Sequence, residues 1–298
     1  MIPYSKFIKR SSTIQEKNRR WWDENPMSYD WHRTIAAPEG SPEFFKIIDE
    51  RFFAASPFFK GERPFEALIP FNKLRNKKIL EIGCGLGSHA QLFCEAGCNV
   101  TAIDITPRAV DLTRKRLSQS GLTADVRVMD AEDMEFNNEQ FDFIWSWGVI
   151  HHSSNTEKIV KEANRVLKLG GEFRFMVYNR RSLDALIKIA RGLLSGKFIK
   201  GMSVSDALSF YSDGSMARHY TCRQISSMLE RSGFEPEKIS AMGQPSELLP
   251  LPGNGFVGSF KRAVVARMPD SLAVPALSTF GWFLFAIAVK SERLNIVE

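Results

Sequence analysis

The sequence is short of cysteine, of long apolar runs and of clustered charge. Its four cysteines, Cys84, Cys94, Cys98 and Cys222, include no C-x-x-C pair. That argues against a disulfide framework and against a zinc site, so no metal is expected and a reducing cytoplasm fits best. No apolar run approaches the about 18 residues of a spanning helix, and Met1 to Arg10 lacks the apolar core of a signal peptide. Net charge is +6 and the pI is near 9.1, but no block of five or six like charges appears. A mildly basic, evenly spread surface reads first as solvated, and without an RNA-binding signature no nucleic-acid partner is expected. There is no internal repeat and no low-complexity tract. At 298 residues, with 44% hydrophobic and 25% charged residues, the chain is an ordinary globular one with room for one large domain or two small ones.

The stretch that organises the rest is Lys78-Ile79-Leu80-Glu81-Ile82-Gly83-Cys84-Gly85-Leu86-Gly87-Ser88-His89. Ile79, Leu80 and Ile82 form the short apolar run of a buried parallel strand. Gly83, Gly85 and Gly87 let the backbone turn sharply and a ligand lie against it. The helix after the turn aims free N–H groups and the positive end of its dipole at that ligand. A dinucleotide site wants G-x-G-x-x-G, yet Ser88 stands where the third glycine belongs. A phosphate-cradling loop needs Gly-Lys-Ser/Thr, which is missing as well.

From here strands and helices alternate. Strands are expected at Lys78–Ile82, Asn99–Asp104, Asp125–Asp130, Phe141–Ser146 and Glu172–Val177. Helices are expected over Ser88–Ala96, from Pro107 to Gly121, and over Glu157–Leu167, the last broken by Gly170-Gly171. This pattern predicts a doubly wound, mostly parallel α/β sheet, with ligands along the carboxyl edge of the strands. Residues 1–70 form an aromatic helical segment. Its rings (Trp21, Trp22, Tyr29, Trp31, Phe44, Phe45, Phe52, Phe53) are either core or a lid over a small-molecule site. Residues 181–220 are a helical insertion whose first part is amphipathic and basic. Thr221-Cys222-Arg223-Gln224 reads as a capping box starting a further helix. Residues 221–298 complete the core with a sixth strand near Lys238–Ala241, a Pro/Gly-rich stretch from Gly243 to Gly255, and a last strand over Gly281–Lys290.

Four places carry candidate chemistry. Asp104, at the end of the second strand and about twenty residues past Gly83, lies beside the glycine turn and can accept both hydroxyls of a ribose. Asp130, ending the third strand, can take the exocyclic amine of an adenine. A backbone carbonyl near Ser146 can meet a cationic group. His151 and His152 follow strand four, two of only five histidines in the chain, and histidine suits proton transfer near neutral pH. Each has a structural alternative: a strand-end acid, a turn cap, a histidine bonded into its loop.

In order and spacing, Glu81-Ile82-Gly83-Cys84-Gly85-Leu86-Gly87, Asp104-Ile105-Thr106-Pro107, Asp130-Ala131-Glu132-Asp133-Met134, Phe141-Asp142 and Val166-Leu167-Lys168-Leu169-Gly170-Gly171 together resemble a class I S-adenosyl-L-methionine (SAM) methyltransferase. The similarity is to the small-molecule group that includes the ubiquinone-biosynthesis methyltransferases, and it covers residues 75–180, within an expected core of 71–180. It implies a seven-stranded Rossmann-like sheet with an antiparallel last strand. It implies SAM as cofactor and S-adenosyl-L-homocysteine as product. By the same resemblance Glu81, Gly83, Cys84, Gly85 and Gly87 approach the methionine part, Asp104 and Ile105 hold the ribose, and Asp130 and Ala131 hold the adenine. Leu169 replaces the usual proline of the Pro-Gly-Gly turn.

The expected function is in-line methyl transfer to an O or N atom of a small-molecule acceptor, with His151 or His152 as base. Trp22, Tyr29, Trp147, Tyr178 and Arg180 are candidates for acceptor contact. A lipophilic, quinone-like acceptor at a membrane surface is the alternative. It rests on the apolar loop of Leu248, Leu249, Leu251, Phe256 and Val257 and on the basic helix. A non-catalytic SAM-binding module and a nicotinamide-dependent oxidoreductase remain as rivals. The acceptor and the oligomeric state are not legible.

Overall fold

The computed structural model describes residues 4–26, 34–53, 62–251 and 255–292, with side chains from residue 14 onward. Apolar runs become strands where alternation predicts them. β1 (Lys78–Ile82), β2 (Asn99–Asp104), β3 (Asp125–Val128) and β4 (Phe141–Trp147) form a parallel set with helices between them. Ahead of them lie α1 (Tyr4–Glu24), α2 (Pro42–Phe53) and the single turn α3 (Phe71–Leu74). Between the strands come α4 (Ser88–Glu95), α5 (Pro107–Gln119) and α6 (Thr156–Val166). Side-chain caps start α5 and α6. Thr106 accepts from the Ala109 N–H with Pro107 at the first helical position, and Asn155 accepts from the Lys158 N–H.

β5 (Leu167–Asn179) follows α6 directly. Gly170-Gly171 predicts a break there, with a strand only from Glu172. Instead the strand begins five residues earlier and shifts register between Phe141 and Phe143. Gly170 (φ 72°) lets the strand absorb the extra residues as a bulge. Then come α7 (Leu183–Leu194), α8 (Val204–Phe210), the two-residue β6 (His219–Tyr220), α9 (Cys222–Arg231), β7 (Phe234–Met242), α10 (Gly255–Ala266), α11 (Asp270–Phe280) and β8 (Phe283–Lys290). The capping box at Thr221 and Gln224 is present in both directions. The helices α10 and α11 lie where the sequence showed only loop. α10 has apolar residues all round, and α11 carries Pro275 inside it, so neither shows a one-sided periodicity.

The strand order is β3-β2-β1-β4-β5-β8-β7, with β6 beside the end of β5. β8 runs antiparallel to both neighbours. That is the expected seven-stranded sheet with an antiparallel last strand, plus one short addition. Alternate residues of each strand feed opposite faces. Leu80, Ile144, Phe173 and Phe175 pack with Ile159, Val160 and Leu229 of α6 and α9. Ile79, Phe143 and Trp145 pack with Phe65, Phe71 and Phe93 on the other side. Phe44, Phe45 and Ile48 of α2 bury against Leu86 and Leu112. The α2 helix is further tied down by Asp49, which pairs with Arg116 and accepts from Ser88 Oγ at 3.0 Å.

Candidate functional site

The glycine turn is built as its sequence demands. The N–H groups of Gly83 and Cys84 both donate to the Ile103 carbonyl, at 2.7 and 3.1 Å, which pins the end of β1 to β2. Gly83 has φ 80°, and a Cβ there would sit 2.2 Å from Val149 Cγ2, so only glycine fits. Asp104 lies beneath the turn. Its carboxylate accepts from Gly85 N at 3.1 Å and from Thr106 N and Oγ1, both at 3.0 Å. Burial pushes its pKa up, while the bonds from Thr106 and Gly85 oppose that shift.

Turn and acid open into one cavity of about 470 Å³ on the carboxyl edge of the sheet. One half is lined by Gly83, Gly85, Asp104, Ile105, Asp130 and Ala131. The other has aromatic walls from Trp22, Phe52, Trp147, Tyr178, Trp282 and Phe283, with His152, Asn18, Asp213 and Gln244 as polar members. The α1 helix spans both halves. Gln15 Nε2 donates to both Asp130 oxygens, at 3.0 and 3.1 Å. Asn18 donates to the His152 carbonyl and accepts from Ser215 Oγ. Trp22 meets the His152 ring edge-on, 4.9 Å between centroids. The aromatic leader thus divides: Phe44 and Phe45 of α2 go to core, while Phe52 and Trp22 line the cavity.

Several expected residues are not on the cavity wall. Glu81 is buried with its carboxylate 3.6 Å from His89 Nδ1, beside Asp104, and burial raises its pKa well above the usual range. Cys84 Sγ accepts from Thr113 Oγ1 at 3.4 Å under the turn. Gly87 (φ 76°) caps α4. Ser146 Oγ is turned into the sheet and donates to the Ile82 carbonyl at 3.0 Å. These four shape the turn from behind. Arg180 is held by the Tyr220 carbonyl through its own N–H and does not reach the wall. Tyr29 lies outside the described residues.

The two histidines separate as well. His152 lines the cavity, and its Nδ1 lies 2.8 Å from the Met216 carbonyl. A carbonyl can only accept, so Nδ1 carries the proton and Nε2 keeps its lone pair. Burial lowers the pKa of His152 to about 4, so the ring is neutral at pH 7. His151 sits behind it, ring centroids 4.2 Å apart, fully buried and with no hydrogen-bond partner for either nitrogen among the described residues. Gln15, Asn18, Gln244 and Trp282 escaped sequence reasoning. Gln15 and Asn18 carry no motif, and Gln244 and Trp282 flank the two helices that the pattern did not reveal.

Residues 80–175 match the family described as a methyltransferase domain. The match covers about a third of the chain. The chain's sheet order, glycine turn and strand-end acids resemble those of class I SAM-dependent methyltransferases. The chain is 36% identical over 114 residues to a ubiquinone biosynthesis O-methyltransferase of Actinobacillus pleuropneumoniae, covering 37% of this chain and 49% of that protein. It is 36% identical over 101 residues to a sarcosine/dimethylglycine N-methyltransferase of Aphanothece halophytica, covering 33% and 36%. The chain thus spans about half the length of the first relative and about a third of the second. Among solved structures, a SAM-dependent methyltransferase from Methanosarcina mazei superposes with a TM-score of 0.52 at 20% identity, over 75% of this chain and 97% of that one. SAM is the cofactor of this domain type, and the residues present fit it. The buried Asp104 carboxylate lies beside the glycine turn at the cavity, and a second carboxylate, Asp130, already holds an amide N–H₂ donor, that of Gln15.

Proposed function

We propose that this chain transfers the methyl group of SAM to an oxygen or nitrogen of a small-molecule acceptor held in the aromatic half of the cavity. The observation that carries this reading is continuity: the glycine turn and Asp104 open into the same cavity as His152 and the aromatic walls. Bound SAM supplies a methyl group already activated on a sulfonium sulfur, which leaves as the neutral thioether of S-adenosyl-L-homocysteine. The protein's work is then to position, to exclude water and to take a proton. Asp104 accepts from the ribose hydroxyls. Asp130 and Ala131 face the adenine, and Gln15 yields its place on Asp130 to the adenine amine. The α1 helix is the lid, with Trp22 against His152 keeping water out. His152, fixed by the Met216 carbonyl, takes the acceptor's proton on Nε2 as the new bond to carbon forms. His151 backs it and is not the base in this reading.

The names of the two relatives cover an oxygen and a nitrogen acceptor, which supports keeping both atoms open. A lipophilic aromatic acceptor is the second reading, favoured by the Trp147, Tyr178, Trp282 and Phe283 walls. Calorimetric titration with SAM, S-adenosyl-L-homocysteine and NAD in parallel tests the cofactor. Transfer of a labelled methyl group to a panel of phenols, quinols and small amines tests the reaction. Binding of both adenosyl ligands and methylation of one panel class is expected. Binding of NAD alone overturns the proposal. Binding of SAM with no transfer to any panel member makes the chain a binding module.

A further inference from the structure

The exposed apolar side chains are segregated. Among the described residues, all the large ones except Val128 and Leu169 lie between Leu186 and Phe280. They belong to the two insertions, α7–α8 and α10–α11. Leu194 is 90% exposed, Ile199 92% and Phe256 89%, and Phe210, Phe260 and Leu272 are more than half exposed. Scattered single apolar residues need no explanation, but concentration at one end of the fold does.

Topology brings these insertions together. α7 leaves the carboxyl end of β5, and α10 and α11 leave the end of β7 and return into β8, so both rise from the sheet edge that holds the cavity. The short 3-10 turn Pro245–Leu248 touches α7, α10 and α11. Its Glu247 accepts from the Trp282 N–H at 2.9 Å, and Trp282 lines the cavity. The apolar helices therefore border the cavity mouth.

Charge marks what covers them. From Leu183 to Met202 the only acid is Asp184, which is spent on the buried Lys188 at 2.7 Å, leaving Arg191, Lys197 and Lys200. From Gly255 to Arg267 there is no acid, only Lys261, Arg262 and Arg267. Lys197 Nζ rests 3.2 Å from the centre of the exposed Phe210 ring, cation beside apolar surface. A second protein would need scattered countercharges and shaped pockets. Asp206 and Asp270, in the first turns of α8 and α11, are the other acids of these helices, so cations outnumber acids on an apolar surface, which fits an anionic lipid headgroup layer over acyl chains.

We propose that α7–α8 and α10–α11 form a docking surface for an anionic phospholipid bilayer, with the cavity mouth at its border. The binding itself is independent of the methyltransferase reading. Only its consequence rests on that reading: a lipid-dissolved acceptor could enter the aromatic half of the cavity without crossing water.

The test is flotation of the full chain with vesicles of phosphatidylcholine alone and of phosphatidylcholine with 30 mol% phosphatidylglycerol. The wild-type chain should float with the anionic vesicles, far less with the neutral ones, and less as salt rises. K261Q/R262Q should weaken binding about 25-fold, roughly fivefold for each cation removed. F256S/F260S should weaken it on the anionic vesicles, and L194S/I199S supplies an independent pair should the first fail to fold. Circular dichroism and thermal melting certify folding without reference to any ligand. Failure of the wild-type chain to float, or flotation unchanged in folded variants of both kinds, overturns the proposal. So does a dimer in sedimentation that F256S/F260S disperses while vesicles are ignored, which would make the surface a contact between copies of this chain.

Discussion

Replacing Asp104 by Asn should separate ligand binding from folding. In the ligand-free protein the Asp104 carboxylate is buried and accepts from Gly85 N and from Thr106 N and Oγ1. Asn is nearly the same size, and its single oxygen can serve only one side. Setting the amide N–H₂ against the Gly85 N–H costs about 1–3 kcal/mol. Against that, the buried charge disappears, and its raised pKa says the charge is penalised there. The two effects oppose, so ligand-free stability should change by no more than about 2 kcal/mol. Binding has no such offset. Two charge-assisted bonds from ribose hydroxyls become at best one neutral bond, a loss of about 3 kcal/mol, or roughly 100-fold in affinity. At a SAM concentration 100 times the wild-type Kd, ligand stabilises the wild type by about 2.7 kcal/mol and the variant by only about 0.4 kcal/mol. With 2–4 °C in Tm for each kcal/mol, SAM should raise the wild-type Tm by about 5–10 °C and the variant Tm by about 1 °C. Thermal melting with and without SAM, checked by calorimetry, reads both quantities. A D104N chain that folds and keeps its SAM affinity within threefold refutes the ribose assignment. Equal losses in both quantities would make Asp104 a structural residue of the turn.

Gly83→Ala should cost about 3 kcal/mol, from a left-handed φ and a Cβ 2.2 Å from Val149 Cγ2. Adding V149A should recover the clash part and leave the backbone part, as read by urea unfolding. His152→Ala should lower kcat about 10²- to 10⁴-fold with little change in SAM affinity, while His151→Ala stays within tenfold. Because burial holds the His152 pKa near 4, the acid limb of the wild-type rate should fall near pH 4. A limb near pH 6.5 would contradict that assignment. Burial raises Glu247 to about 7, so its contribution to stability is full below the usual carboxylate range and is lost as pH rises through about 7. In E247Q the fall in Tm between pH 5 and 8 should flatten, by up to about 3 kcal/mol of the pH-dependent term.

Where one residue's neighbours in sequence are also its neighbours in space, the sequence was enough. The turn from Ile82 to Ser88, the cap at Thr106-Pro107 and the capping box at Thr221-Gln224 are local devices, and each forms where its residues stand. Asp104 could be placed from spacing alone because β2 must lie beside β1 in such a sheet. Alternation predicted an open parallel sheet and the family resemblance an antiparallel last strand, while the place of that strand between β5 and β7 is seen only in the fold. The choice between His151 and His152 could not be read, since adjacent residues differ only in which way the 3-10 turn Ile150–His152 points them. That direction is decided by the Met216 carbonyl, 64 residues away. Gln15 reaches Asp130 across 115 residues, and Trp282 joins Trp147 and Tyr178 only because β8 inserts between β5 and β7. α10 and α11 left no periodic signal because they bury so little of themselves, and the exposed surface they leave became visible only in three dimensions. Local hydrogen bonds and hydrophobic period are written along the chain. Which distant side chains close the cavity depends on how the helices pack over the sheet edge, and that is decided only when the whole chain folds.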